Sequence, residues 1–297
     1  MYTSDDFRGE DLAILFQKHD VVKVSECPVC DSSQFSLWVD CGYTQAHKCD
    51  NCSLVFMSSQ LSESGLADYY SNYIGKRRIN NLEKMRLRTE QYILDASVLR
   101  NFISSGKLLD VGCNGGFFLS ALGETIERFG TELDPTAVEY ARKNFPEFGN
   151  NVFQGGIEGT KFGEQEFDAI TMRGLFEHVS NPNRVVSKAV KMLKNGGYLY
   201  LCATPNGESL CADIYRDNWT LFHPVQHLWH FSPDNLAILF EKYGLKLVWK
   251  DLQYLGTPYA QPKTDLMKIA EKIENPDSQE ISPPFFENMM SLVFQKI

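Results

Sequence analysis

Three groups of residues in this chain have the types and spacing for chemistry. The first is Leu108-Leu-Asp-Val-Gly-Cys-Asn-Gly-Gly-Phe-Phe118, an apolar run that ends in an acid and then breaks into glycines. One glycine suffices for an ordinary turn. Gly112, Gly115 and Gly116 so close together imply backbone that must approach something else. The second group is Cys27-Pro-Val-Cys30 with Cys49-Asp-Asn-Cys52, a C-x2-C-x18-C-x2-C pattern. Each CxxC lets two sulfurs of one tight turn reach the same tetrahedral ion. The spacing therefore predicts a structural zinc held by Cys27, Cys30, Cys49 and Cys52, with no open position for water. A redox dithiol or unrelated buried cysteines are the alternatives. The third group is Phe222-His-Pro-Val-Gln-His-Leu-Trp-His-Phe231, with imidazoles at 223, 227 and 230. Imidazole titrates near neutral pH, which suits a general base. Pro224 argues against a metal-binding HxxxH helix there.

These residues need elements to hold them. From Leu61 to about Phe102 the chain is polar and helix-friendly, with apolar residues at helical spacing and a tyrosine-rich stretch, Tyr69-Tyr-Ser-Asn-Tyr73. It reads as a helical connector that could cap a pocket. Strands and helices then alternate. Lys107 to Val111, Ile126 to Leu133, Asn151 to Gln154, Phe167 to Met172 and Tyr198 to Ala203 read as strands. Asp134-Pro135 and Asn181-Pro182 each place a capping residue before a proline at the first helical position. Asn195-Gly196-Gly197 reads as the end of the second of these helices. Ser232-Pro233 opens a further helix, followed by strands from Leu245 and from Asn288. Such alternation means a parallel sheet with helices on both faces, and ligands at the carboxyl ends of the strands.

Bulk properties narrow the function. With 297 residues, 43% hydrophobic and 23% charged, the chain can bury a substantial core. Its net charge of −9 discourages a polyanionic partner, so nucleic acid is not expected. No run approaches the roughly 18 apolar residues of a membrane span. The acidic opening lacks a signal-peptide pattern, and paired CxxC motifs fit a reducing compartment, so the expected location is cytoplasmic.

The glycine spacing does not match a dinucleotide fingerprint. An acid two residues before the first glycine suits a cofactor carrying an ammonium and a sulfonium. The segment Leu108 to Phe118 resembles the first motif of class I S-adenosylmethionine-dependent methyltransferases, with Asn114 at the middle glycine. Gly130-Thr-Glu132, Phe167-Asp-Ala-Ile-Thr-Met with Phe176-Glu-His-Val179, and Leu193-Lys-Asn-Gly-Gly-Tyr-Leu199 resemble the later motifs, in order. The resemblance implies an α/β, doubly wound, mostly parallel seven-stranded Rossmann-like sheet, with a small N-terminal zinc ribbon. It implies that Asp110, Gly112 and Gly116 hold the methionine part of S-adenosylmethionine, that Glu132 holds the ribose, and that Cys113, Asn114 and Leu133 belong to the cofactor site as well. Gly156, Ile157 and Glu158 would meet adenine, with Gly156 where the family has an acid, and Arg173 would complete the cofactor set.

Zinc-bearing members include sugar methyltransferases, whose base lies in a Glu-His segment; His227 matches that histidine and Gln226 stands at the Glu. The runner-up base is His178, after the fourth strand. In similar ubiquinone-pathway enzymes that pair binds magnesium with a further Glu, where this chain has Gly174. The expected organisation is a zinc module at 1–58, a connector at 59–102, and a catalytic domain at 103–297 with lid insertions at about 206–231 and 257–284. The expected acceptor is a small molecule, such as a nucleotide-linked sugar or polysaccharide precursor, methylated on oxygen or carbon. RNA methylation and a non-catalytic zinc interaction module are the other readings.

Overall fold

The computed structural model of the chain describes residues 10–69 and 82–297. Its N-terminal elements are α1 (Glu10–Lys18), β1 (Val21–Lys23), β2 (Phe35–Asp40), β3 (Gln45–Cys49), β4 (Val55–Met57), β5 (Ser59–Leu61) and α2 (Glu63–Tyr69). Then follow α3 (Leu82–Leu99), β6 (Gly106–Val111), α4 (Phe117–Ala121), β7 (Ile126–Glu132), α5 (Pro135–Asn144), β8 (Val152–Gln154) and β9 (Phe167–Arg173). The remainder is α6 (Pro182–Met192), β10 (Leu193–Pro205), α7 (Leu210–Tyr215), β11 (Trp229–His230), α8 (Pro233–Glu241), β12 (Leu245–Asp251), α9 (Pro262–Glu274) and β13 (Met289–Lys296). Two compact units result. One contains the described chain up to Arg86 with Pro205–Asn235 and Gln253–Asn288; the other contains Leu87–Thr204, Leu236–Leu252 and Met289–Ile297.

The second unit is built on a seven-stranded sheet of order β12-β13-β10-β9-β6-β7-β8. The pairs β10–β9, β9–β6, β6–β7 and β7–β8 are parallel and β12–β13 is antiparallel. This is the α/β, mostly parallel sheet that the alternation predicts. Chain order reverses between β6 and β9, so their carboxyl ends form the switch point where such sheets bind ligands. The expected caps are in place: Asp134 Oδ1 accepts from Thr136 N at 2.8 Å, and Asn181 Oδ1 from Arg184 N at 3.0 Å. Leu108, Phe118, Leu119, Val138, Ala141, Val152 and Ala169 form the buried core between sheet and helices. Asp168 ties three strands at their other end, accepting from Lys107 N and from Lys194 Nζ at 2.8 Å each.

One boundary differs from the sequence reading. β10 starts at Leu193, directly after α6, instead of at Tyr198. Asn195-Gly196-Gly197 forms a bulge inside the strand, where the register shifts between Leu193 and Tyr198. Gly196 is at φ +76°, and a Cβ on Gly197 would sit 2.9 Å from Lys194 O. A glycine pair reads as a helix stop or as a bulge, and strand pairing chooses the bulge.

The first unit holds a four-stranded sheet, β11-β4-β3-β2, and the antiparallel pair β1–β5. Both segments expected as lid insertions into the catalytic domain group with the N-terminal strands instead. β11 pairs antiparallel with β4, Trp229 opposite Phe56 and His230 opposite Val55. The second excursion carries α9, started by Pro262, whose Ile269 joins Val39, Ala46, Val55, Met57, Trp219 and Phe222 in one core. The segment expected as a helical connector carries β5, α2 and α3. Tyr70 to Tyr73 lie outside the described residues, whereas Tyr69 is buried.

Candidate functional site

The glycine turn follows β6, and its shape is set by backbone that ordinary residues avoid. Gly112, Asn114 and Gly116 have φ of +73°, +50° and +82°. Asn is the side-chain-bearing residue best suited to this region, and its Oδ1 accepts from Gly115 N at 2.7 Å. Gly112 N and Cys113 N both donate to Thr131 O, at 2.8 and 3.0 Å, which holds the turn against the end of β7. A Cβ at Gly112 would lie 2.9 Å from Leu175 Cδ1, and one at Gly116 3.0 Å from the Phe148 ring.

Two acids frame the turn. Glu132, the last residue of β7, accepts from Asn114 N through Oε2 at 2.8 Å and from Asp134 N through Oε1 at 3.0 Å. Each carboxylate oxygen has two lone pairs, so each can also take a hydroxyl proton. Asp110 is buried beneath the turn and accepts from Thr171 Oγ1 at 2.6 Å. Burial pushes its carboxyl up to about 7.

The other expected cofactor residues divide. Leu133 is 72% exposed, an apolar surface directly beyond Glu132. Ile157 is buried, and no atom lies within 4 Å of where a Cβ on Gly156 would be. Cys113 is buried in the core, so only its backbone belongs to the turn. Glu158 is paired with Arg184 Nε at 2.8 Å. The Arg173 guanidinium donates to Asp95 Oδ2 at 2.8 Å and lies 4.4 Å from the Tyr92 ring centre, which pins α3 to the end of β9. For Glu158 and Arg173 the side chains are thus already bound to protein groups.

Beyond β9, a single turn at Phe176–His178 carries Glu177 and His178. Glu177 is 2% exposed, its Oε2 has no hydrogen-bond partner among the described residues, and burial pushes its carboxyl up to about 8. Its Oε1 is 3.8 Å from His178 Nε2. Within this Glu-His pair the sequence marks His178 as a candidate base, while the burial of Glu177 is announced by no local pattern. Gly174, just before this turn, is at φ +54°.

In the first unit, the four cysteines converge. Cys27 Sγ and Cys52 Sγ are 3.4 Å apart, Cys30 Sγ and Cys49 Sγ 3.5 Å, and all four sulfurs lie within 4.8 Å of one another. Both CxxC turns use the same backbone device. Asp31 N donates to Cys27 O and Cys27 N to Ser32 O; Ser53 N donates to Cys49 O and Cys49 N to Leu54 O. Asp31 and Ser53 take φ of +60° and +63° to close these turns. Sulfurs about 2.3 Å from one tetrahedral ion stand roughly 3.8 Å apart, so this four-thiol set could hold a zinc ion. Cys41 and His47 are not part of the cluster.

His227 is also in the first unit and is buried. Its Nδ1 is 2.7 Å from Leu221 O; a carbonyl only accepts, so Nδ1 carries the proton and Nε2 is the nitrogen that can receive one. Burial lowers the imidazole to about 4. Gln226, at the position of the expected Glu, donates through Nε2 to the Tyr69 hydroxyl at 2.6 Å. The rings of His223 and His227 are 4.8 Å apart, and those of His227 and His230 6.1 Å.

Residues 83–250 match the family described as Methyltransferase domain. The chain is 31% identical over 104 residues to the ubiquinone biosynthesis O-methyltransferase of Thiobacillus denitrificans, covering 33% of this chain and 44% of that protein. It is 28% identical to the mitochondrial enzyme of the same name from Schizosaccharomyces pombe, covering 43% and 47%. The chain thus spans less than half the length of these curated relatives. A solved SAM-dependent methyltransferase from Thermotoga maritima superposes with a TM-score of 0.50 at 21% identity, covering 78% of this chain and 99% of that one. That likeness concerns the fold.

Proposed function

Since the chain belongs to the methyltransferase-domain family, we propose that it moves a methyl group from S-adenosylmethionine to a small-molecule acceptor. The observation that carries this reading is Glu132, fixed by the amides of Asn114 and Asp134 beside a turn with positive φ at 112, 114 and 116. The residues fit the cofactor: a carboxylate for a ribose diol, an acid under the turn for an ammonium, and backbone without Cβ where the chain must pass close. When bound, the cofactor supplies an electrophilic methyl on a positively charged sulfur. Held by Glu132, Asp110 and the glycine turn, it would give that methyl to the acceptor, with S-adenosylhomocysteine as the other product.

For a hydroxyl or carbon-acid acceptor, a proton must also go. His227 Nε2 takes it in this reading, while the Leu221 carbonyl fixes the ring's tautomer. A sugar-like acceptor is the finer proposal, supported by the joining of a four-cysteine module to this core. The four cysteines are proposed to bind one structural zinc.

The direct test is calorimetry with S-adenosylhomocysteine. The parent chain should bind it, and Glu132→Ala should weaken binding by about 2–4 kcal/mol, as for a pair of charge-assisted hydrogen bonds. Unchanged affinity in the variant, or preference for a nicotinamide cofactor, would rule the assignment out.

A further inference from the structure

Three polar atoms that should have partners are concentrated in one apolar place of the first unit. His230, on β11 opposite Val55, is 1% exposed, and neither of its ring nitrogens has a hydrogen-bond partner among the described residues. Trp219 is also 1% exposed, and its Nε1 lacks a partner among the same residues. The two rings are 5.6 Å apart between centroids. Phe222 lies 5.4 Å from His230 and the half-buried Trp38 6.4 Å, both rings inclined to it by about 30°. A buried donor or acceptor without a partner costs free energy, and natural cores hold few of them. Three such atoms on two adjoining rings form one set of donors and acceptors that a bound group could satisfy.

The surroundings say what chemistry the guest has. Burial holds the His230 imidazole neutral at physiological pH, so it presents one N–H donor and one acceptor lone pair. The indole adds a second donor. A group that meets this set must both donate and accept, and it must be uncharged: the nearby Arg216 guanidinium, 5.3 Å from the Trp38 ring centre, is already paired with Asp213 at 3.3 Å and leaves no counter-ion to spare. A carboxylate cannot donate to the imidazole lone pair, and an ammonium cannot accept from the indole. A hydroxyl does both. Trp38 and Phe222 add flat apolar faces for the body that carries it.

We propose that His230 and Trp219 form a subsite for a neutral hydroxyl group of the methyl acceptor, with Trp38 and Phe222 packing the ring that bears it. This rests on the methyl-transfer reading for the identity of the guest, while the hydroxyl preference stands on these rings alone. The acceptor is then a hydroxyl-bearing ring, either aromatic or saturated.

Two probes separate those sources: phenol and methyl α-D-glucopyranoside, with benzoate as the charged control. In the full chain, the Trp219 indole N–H resonance, assigned by its loss in Trp219→Phe, should shift saturably with phenol, with the glucoside or with both. Benzoate should leave it in place. Saturation by one neutral probe alone identifies the aromatic or the saturated class. His230→Phe keeps a ring and removes both nitrogens, so it should weaken that binding by about tenfold or more. Its S-adenosylhomocysteine affinity should stay within about twofold of the parent's. If His230→Phe fails to melt cooperatively, Trp219→Phe serves instead, read by saturation transfer to the probe. No saturable shift with either neutral probe, an equal shift with benzoate, or undiminished binding in the folded variant overturns the subsite and makes His230 a core residue. A parent chain that binds phenol or the glucoside but not S-adenosylhomocysteine would sink the methyl-transfer reading and leave the hydroxyl subsite standing.

Discussion

Asp110 is shielded from solvent yet keeps a hydrogen bond from Thr171, and burial pushes its carboxyl up to about 7 from an ordinary 3.8. The folded chain thus retains a proton that the unfolded chain releases between those values. The resulting stability is complete at low pH and is lost as pH rises through about 7. Asp110→Asn keeps the size without the charge, so its denaturation midpoint should change less than the parent's between about pH 6 and pH 8. If the ionised acid faces the cofactor's ammonium, parent affinity for S-adenosylhomocysteine should rise over the same interval, and calorimetry should find that rise gone in Asp110→Asn. His227 has the opposite sign. Its imidazole falls from 6.5 to about 4, so its share of stability is present at neutral pH and lost as pH drops through about 4. As the proposed base, His227→Ala should cost turnover about 10²–10⁴ while leaving S-adenosylhomocysteine affinity unchanged. The acid limb of the parent's kcat/KM profile should then lie near 4 and not near 6.5. A dead His178→Ala beside an active His227→Ala would move the role to His178.

At the scale of elements, the turn between β6 and α4 imposes strain on whatever residue replaces its glycines. Gly116 and Gly123 have nearly the same φ, +82° and +85°, but different neighbours. A Cβ on Gly116 meets the Phe148 ring at 3.0 Å, whereas one on Gly123 meets nothing within 4 Å. Gly123→Ala should therefore cost only the left-handed backbone penalty, about 1–2 kcal/mol. Gly116→Ala should cost more in urea denaturation, because Phe148 and Phe145 must also shift, and it should weaken S-adenosylhomocysteine binding. Equal midpoints for the two variants would mean that the aromatic wall behind the turn yields freely.

For the molecule as a whole, the four cysteines are the test of how the first unit is held. Metal analysis of protein purified without added zinc should find about one equivalent per chain, and chelation should lower the melting temperature. Cys49→Ser should do the same while S-adenosylhomocysteine affinity stays within about twofold, since a closed four-thiolate site has no position for substrate. A folded chain with no metal and four freely titrating thiols would exclude the zinc. The share of the fold visible in advance follows the reach of each signal. β6 to β9, the caps at Asp134 and Asn181, and the CxxC turns were legible because each depends on residues within a turn or two. The grouping of 205–235 and 253–288 with the N-terminal strands was not, because it depends on pairing between distant segments.

By itself, the amino-acid order determined the glycine turn, the acid after it on β7, the sheet's alternation and the four-cysteine set. Each is written in φ requirements, caps or ligand spacing that act over a few residues. Tertiary structure decided that β11 completes the sheet of β4, β3 and β2, and that Gln226 reaches Tyr69, 157 residues away in the chain. It also decided that Arg173 is held by Asp95 and that His230 is buried with both nitrogens lacking partners among the described residues. Those outcomes come from packing and loop closure, which bring together residues whose spacing in the chain carries no period.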